Sequence, residues 1–140
     1  MTGKTCEYYD IAGNEWTLGP ELTLGIQSGT ACFTGSYVYY FGGMTLDENE
    51  DNYYRPASYM ERLNYDEMGQ WEVVETKNEG KAPMMTMQMG ACMLNASDML
   101  IFGGMAAGEN GENNGDVLSD AFFFNTNTNT FSEAASLRDE

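Results

Sequence analysis

A Gly-Gly doublet at the end of an apolar stretch occurs twice in this chain, and internal repetition constrains a fold more than any other sequence feature. The first copy reads YVYYFGGM over residues 37–44, and the second reads MLIFGGM over residues 99–105. The four glycines of the doublets are Gly42, Gly43, Gly103 and Gly104. The second glycines of the two doublets are 61 residues apart. The chain therefore reads as a tandem array of one structural unit.

An aromatic motif that spans a turn follows each doublet. An apolar strand ends at the first aromatic residue, and the second aromatic residue comes 6 or 7 positions later. The N-terminal region carries the same motif with no doublet before it. The three copies are Tyr9 with Trp16, Tyr65-Asp66 with Trp71, and Phe124 with Phe131. The array therefore consists of one partial unit followed by two complete units.

Each complete unit predicts four antiparallel strands, a to d, and the chain predicts an all-β fold. Continuous apolar runs such as YVYYF and AFFF suit strands that are buried on both faces. The predicted strands are a at 30–34 and 90–94, b at 37–41 and 99–102, c at 59–65 and 121–125, and d at 70–75 and 130–134. The predicted units are 1–24, which holds strands c and d only, 25–82 and 83–140.

The order of these elements resembles the kelch motif: an apolar strand, Gly-Gly, a spaced Tyr-Asp and then a Trp. Kelch repeats are about 50 residues long, and the excess length here lies where loops are expected. The resemblance implies blades of a β-propeller, each a four-stranded antiparallel sheet. Because a propeller closes with roughly four to eight blades, we expect an incomplete ring. The remaining blades would come from a longer chain or from another subunit.

The charge of the chain restricts its partners. The net charge is −16, from 22 acidic and 6 basic residues, which argues against binding nucleic acid or anionic membrane surfaces. A basic protein partner fits this charge, and a solvated acidic rim is the alternative. No apolar run approaches 18 residues, so we expect no membrane insertion. The odd number of cysteines, 3, suggests no disulfide framework and favours the cytoplasm.

The residue types present exclude several kinds of chemistry within this segment. The sequence has no histidine, so Ser-His-Asp and Cys-His nucleophilic systems and histidine metal sites are excluded. No phosphate-binding glycine motif occurs. We therefore expect no catalytic residue, no metal and no cofactor, and we expect Cys32 and Cys92 to be small core residues. The alternative is an enzyme or a sugar-binding propeller whose active residues lie in blades that are not present here.

The long connections between strands b and c, at 44–57 and 105–118, are the candidate binding elements, because loops on a rigid scaffold usually carry function. The kelch resemblance implies that they share one face with the connections between strands d and a. It also implies a scaffold or adaptor for protein–protein interaction, as in cytoskeletal or ciliary assemblies. The candidate contact residues are Asp47, Glu48, Glu50, Asp51, Tyr53, Tyr54, Arg55, Met84 and Met85. The alternatives are solvated flexible insertions, and methionines that fill gaps beneath the loop.

Overall fold

The computed structural model describes residues 3–47, 53–79, 86–107 and 113–137, which form β strands and no helix. The predicted all-β fold is therefore confirmed. The first nine strands are β1 Glu7–Asp10, β2 Glu15–Leu18, β3 Ile26–Gln27, β4 Thr30–Phe33, β5 Tyr37–Phe41, β6 Met44–Asp47, β7 Tyr53–Pro56, β8 Met60–Asn64 and β9 Glu72–Val74. The others are β10 Lys77–Glu79, β11 Thr86–Met87, β12 Gly90–Met93, β13 Asp98–Phe102, β14 Met105–Ala107, β15 Asn113–Val117, β16 Ala121–Asn125 and β17 Thr130–Glu133.

Two antiparallel sheets with the same strand order form the body of the structure. Strands β4, β5, β8 and β9 form the first, and β12, β13, β16 and β17 repeat it, with β10 added parallel to β17 as a fifth strand. Strands β1 and β2 pair as a separate hairpin. We call β1–β2 the first unit, β3–β9 the second unit and β10–β17 the third unit. None of these sheets closes on itself.

The strand registers place two cysteines at equivalent positions in the second and third units. Cys32 lies opposite Tyr39, and Cys92 lies opposite Leu100. Their surroundings differ, because Cys32 is buried in the core between the two units whereas Cys92 is exposed. The expectation of a core residue is therefore confirmed for Cys32 and wrong for Cys92. In the described part of the chain no further unit covers the face on which Cys92 lies.

The turn after strand c shifts the alignment of the aromatic motif in the second unit. Asn64 and Asn125 end β8 and β16, and each side-chain oxygen accepts backbone N–H groups of the following turn at 3.0 to 3.2 Å. The buried residue just before Asn64 is Leu63. The expected motif residues Tyr65-Asp66 are exposed and lie in the turn itself. This turn is one residue longer than its equivalent, so spacing from Trp71 selects the wrong residue.

The second and third units stack face to face, and an aromatic cluster fills the space between them. The rings of Tyr39 and Phe124 are 5.8 Å apart in an edge-to-face contact, and Phe124 is 4.7 Å from Phe131. The Thr30 hydroxyl donates to the Met89 carbonyl oxygen at 2.7 Å across the same interface. Burial of each aromatic side chain contributes about 1.5–3 kcal/mol, so this cluster holds the two sheets together.

The first unit is joined to the second by buried polar contacts. Glu61 is fully buried, and its carboxylate accepts the N–H groups of Thr23 at 2.9 Å and Leu24 at 3.1 Å. The indole N–H of Trp71 donates to the Pro20 carbonyl oxygen at 3.1 Å. A buried carboxylate is tolerated only with such donors. The segment that follows the hairpin is therefore fixed on β8, through Glu61, and on Trp71, just before β9.

The glycine doublets differ according to whether a neighbouring unit covers them. Gly42 has a φ of 67°, and a Cβ there would lie 2.6 Å from the Thr86 carbonyl oxygen at the start of the next unit. Gly103 has nearly the same φ, 64°, but the nearest atoms to its Cβ would be 3.7 Å away. Gly43 and Gly104, in contrast, are both crowded by backbone of their own unit.

This difference gives a matched pair of alanine substitutions. Gly42→Ala and Gly103→Ala both carry the cost of a left-handed φ, about 1–2 kcal/mol. Only Gly42→Ala also forces a side chain against the following unit. We expect Gly42→Ala to lower the free energy of unfolding in urea by about 1–3 kcal/mol more than Gly103→Ala does. Equal losses for the two variants would contradict close packing of one unit on the next at Gly42.

Candidate functional site

The two long connections between strands b and c form β hairpins. Strands β6 and β7 make one hairpin, and β14 and β15 make the other. Each hairpin gains a third strand from the two residues, β3 or β11, that lie shortly before strand a. The described parts of both connections thus form paired strands, and residues 48–52 and 108–112 lie outside the described residues. Both hairpins follow a Gly-Gly doublet at the end of strand b, and we call this end of the units the hairpin face.

The predicted contact residues fall into three groups. Asp47 ends β6 and lies opposite Tyr53, which begins β7. Tyr54 is half-buried and Arg55 is exposed, both on β7. The others lie outside the described residues: Glu48, Glu50, Asp51, Met84 and Met85. The structure therefore brings Asp47, Tyr53, Tyr54 and Arg55 onto one hairpin.

Tyr54 lies on the side of its hairpin that faces a methionine cluster. Met44 of the second unit and Met87 of the third unit are buried together, and Tyr54 and Met105 pack against them. Met87 is buried and packs against Met44, a gap-filling role that methionine side chains often have. Because Met44 belongs to one hairpin sheet and Met87 to the other, the cluster joins the two hairpin sheets.

Arg55 lies on the opposite side of the same strand, because successive residues of a strand point to opposite faces. It lines a cleft of about 290 Å³, which we call the Arg55 cleft. Thr45 lies opposite Arg55 in the register, and its hydroxyl donates to the Gly25 carbonyl oxygen at 2.9 Å. The other residues that line the cleft are Leu24, Pro56, Ser58 and Tyr59. One guanidinium group and three hydroxyl groups therefore share a small, partly apolar cleft.

Tyr59 is the residue of this site that the sequence did not reveal. Its phenolic oxygen is buried and, within the described part of the chain, makes no hydrogen bond. Burial is the main cause that raises the pKa of Tyr59 to about 12. A buried hydroxyl without a partner is uncommon and unfavourable. No motif marks Tyr59, which appears in the sequence only as the first residue of a predicted strand.

The described residues contain neither a cluster of potential metal ligands nor a long apolar helix. No group of three or more His, Cys, Asp or Glu side chains in them is placed to hold a metal ion. They also contain no helix with the length and apolarity needed to cross a membrane. The acidic residues Glu48, Glu50 and Asp51 lie outside these ranges.

Comparison with protein-family models finds no match to this chain, and comparison with curated proteins finds none either. The fold and site by themselves define the class of protein: an all-β protein of stacked antiparallel sheets, with two repeated hairpins at one end. Its function is therefore inferred from its own residues and geometry.

The unpaired phenol makes Tyr59 testable by alkaline titration. Because its folded-state pKa lies above the ordinary value of 10.0, the folded state holds this proton more strongly than the unfolded state does. That contribution to stability is complete below pH 10 and is lost as the pH rises towards about 12. In Tyr59→Phe, we expect the latest phase of tyrosine ionisation at 295 nm to disappear, with no loss of stability at pH 7.

The control is Tyr65→Phe, which alters an exposed phenol in a turn and should leave the late phase in place. Persistence of that phase in Tyr59→Phe, or its loss in Tyr65→Phe, would contradict the assignment.

Proposed function

We propose that this chain is a segment of a kelch-type β-propeller that acts as a protein–protein interaction scaffold, with the hairpin face as its contact surface. The proposal is supported by the repetition of one structural unit along the chain. Two successive units have the same four-stranded sheet, the same three-stranded hairpin sheet and the same doublet of glycines with positive φ. Recurrence of one supersecondary unit is the mark of a repeat protein, whose loops usually form the binding face.

The way the units stack supports the propeller architecture. Strands β4 and β12, the two strands a, lie beside each other, which is expected if strands a surround a central axis. Just before each of them, Ser28 and Gln88 have positive φ, and the Gln88 N–H donates to the Ser28 carbonyl oxygen at 3.0 Å. In this proposal the remaining blades come from a longer chain or from another subunit.

The composition of the hairpin face supports binding of another protein. Arg55 is exposed on β7, Asp116 and Val117 are exposed on β15, and the Tyr54 ring packs against the methionine cluster. Tyrosine and arginine are the residue types that dominate binding energy at protein interfaces. The net charge of −16 favours a partner with basic residues, because opposite charge accelerates encounter and suppresses wrong partners.

The Arg55 cleft supports binding over catalysis. Its lining residues supply a guanidinium and hydroxyl groups but no carboxylate. General acid–base catalysis needs a group that titrates near the working pH, whereas burial raises the pKa of Tyr59 to about 12. The cleft is therefore suited to receive a side chain of a partner.

The test compares two ends of the molecule. The variant Tyr53→Ala, Tyr54→Ala, Arg55→Ala alters the hairpin face, and Asp66→Ala, Glu67→Ala alters the exposed turn at the opposite end. The probes are labelled Lys/Arg-rich and Asp/Glu-rich peptides of equal length, and binding is measured by fluorescence anisotropy. We expect the basic peptides that wild type binds to bind the hairpin variant at least about tenfold more weakly, a loss of about 1.4 kcal/mol.

The charge changes in the two variants separate binding at the hairpin face from general charge attraction. Loss of Arg55 makes the protein more negative, so weaker binding of a basic peptide cannot come from net charge. The turn variant removes two acidic groups and is expected to bind within about twofold of wild type. If the turn variant loses more affinity than the hairpin variant, binding is general charge attraction and the proposal fails. The single variant Arg55→Ala alters the hairpin face at an exposed position and leaves Tyr54 in place on the methionine cluster.

A further inference from the structure

The two ends of the stack expose the two halves of an interface that the chain already makes internally. At one end, the side chains of Tyr9, Trp16 and Leu18 project from the same side of the first unit, and all three are exposed. We call them the leading face. At the other end, Cys92, Leu100 and Phe123 are cross-strand neighbours on the outer side of the third unit. We call them the trailing face.

The leading face is equivalent to the most deeply buried part of the third unit. Tyr9 lies opposite Trp16 just as Phe124 lies opposite Phe131. The ring centroids are 5.2 Å apart in the first pair and 4.7 Å in the second. Yet Phe124 and Phe131 are 0% exposed, whereas Tyr9 is 43% and Trp16 68% exposed. The difference arises because the second unit covers the third-unit pair, and no described unit covers the first.

The trailing face is equivalent to the surface that provides this cover. In the second unit, Cys32 and Tyr39 are neighbours on the side that faces Phe124. The register places Cys92 and Leu100 at the corresponding positions of the third unit. Here they face outward, and Phe123 beside them is 38% exposed. The trailing face therefore occupies the strand positions that cover Phe124 in the second unit, with Leu100 in place of Tyr39 and Phe123 in place of Arg62.

We infer that the trailing face of one copy of this chain packs on the leading face of a second copy, head to tail. The inference rests on the observed stacking of units and not on the hairpin face. The leading and trailing faces are different surfaces, so the contact is heterologous and each copy retains one open face of each kind. Such contacts produce closed rings or extending chains. Aromatic rings with a polar tip, such as Tyr9 and Trp16, are well suited to an interface of this kind.

Charge opposes this association and sets its salt dependence. Every copy carries a net charge of −16, and like charges repel unless ions screen them. Glu7 lies opposite Leu18 on the leading face, and Asp98 lies on the same side of β13 as Leu100, so both faces carry an acidic residue beside their apolar side chains. No ion pair that salt would weaken therefore holds the contact. We therefore expect self-association to increase with ionic strength, opposite to the behaviour of a contact held by opposite charges.

The experiment uses variants that block one face each. Trp16→Glu blocks the leading face and leaves the trailing face intact, and Phe123→Glu does the reverse. Both sites are exposed in the single chain, so folding should persist, and thermal unfolding checks this. Masses are measured by sedimentation equilibrium from about 5 to about 500 µM, in low salt and in about 0.5 M NaCl. Val117→Glu, at an exposed apolar residue on β15, is the control.

We expect wild type and Val117→Glu to form species larger than dimers at high concentration, with more association in high salt. Each blocked variant alone should stay monomeric. Their equimolar mixture should form dimers and nothing larger, because only one intact pair of faces can meet. A monomeric wild type at every concentration and salt would overturn the inference. So would association of either blocked variant alone, or a mixture that stays monomeric or grows beyond the dimer.

Should Trp16→Glu fail to fold, Leu18→Glu blocks the same face at a position that is 70% exposed. Wild-type fluorescence gives a second readout, since Trp16 is one of only 2 tryptophans. Because Trp16 is 68% exposed in the single chain, we expect the wild-type emission to shift to shorter wavelength on association. An unchanged spectrum while the mass rises would place the contact elsewhere and overturn the inference.

Discussion

The aromatic pair of the third unit, packed under the second unit, is the contact on which the rest of the structure depends. Tyr39 closes over Phe124 and Phe131, and all three side chains are almost completely removed from water. Small sheets of three or four short strands need such a partner, because one sheet alone cannot bury both of its faces. The same contact fixes the place of Gly42, whose missing side chain lets the following unit approach.

The main strands were predictable from the sequence because they recur in each repeat. The apolar runs and the Gly-Gly doublets marked strands a to d close to their observed positions, since burial on both faces leaves continuous apolar stretches. The prediction was wrong where the surroundings of equivalent residues differ between the units. Cys32 and Cys92 are equivalent in sequence, but only one has a neighbouring unit over it. Tyr65 was aligned by distance from Trp71, and a turn longer by one residue broke that spacing.

The candidate site was less predictable than the scaffold. Arg55 and Tyr54 stood out by residue type, but nothing in the sequence indicated that they lie on opposite sides of one hairpin strand. The pairing of β3 with β6, and of β11 with β14, depends on backbone geometry around the doublets. Tyr59 carries no motif at all. Its burial follows from how the hairpin folds over the start of strand c, which is a tertiary effect.

Amide hydrogen exchange in dilute protein tests most directly the claim that stacking of one unit on the next provides the stability. Strands β1–β2 and β16–β17 are both hairpins of strands c and d. In the described residues, the second hairpin is covered by the second unit and flanked by β13 and β10, whereas the first has neither kind of neighbour. Local opening is easier where few apolar contacts must break. We expect amides of β16–β17 to exchange at least about 100-fold more slowly than those of β1–β2. Equal protection of the two hairpins would contradict it.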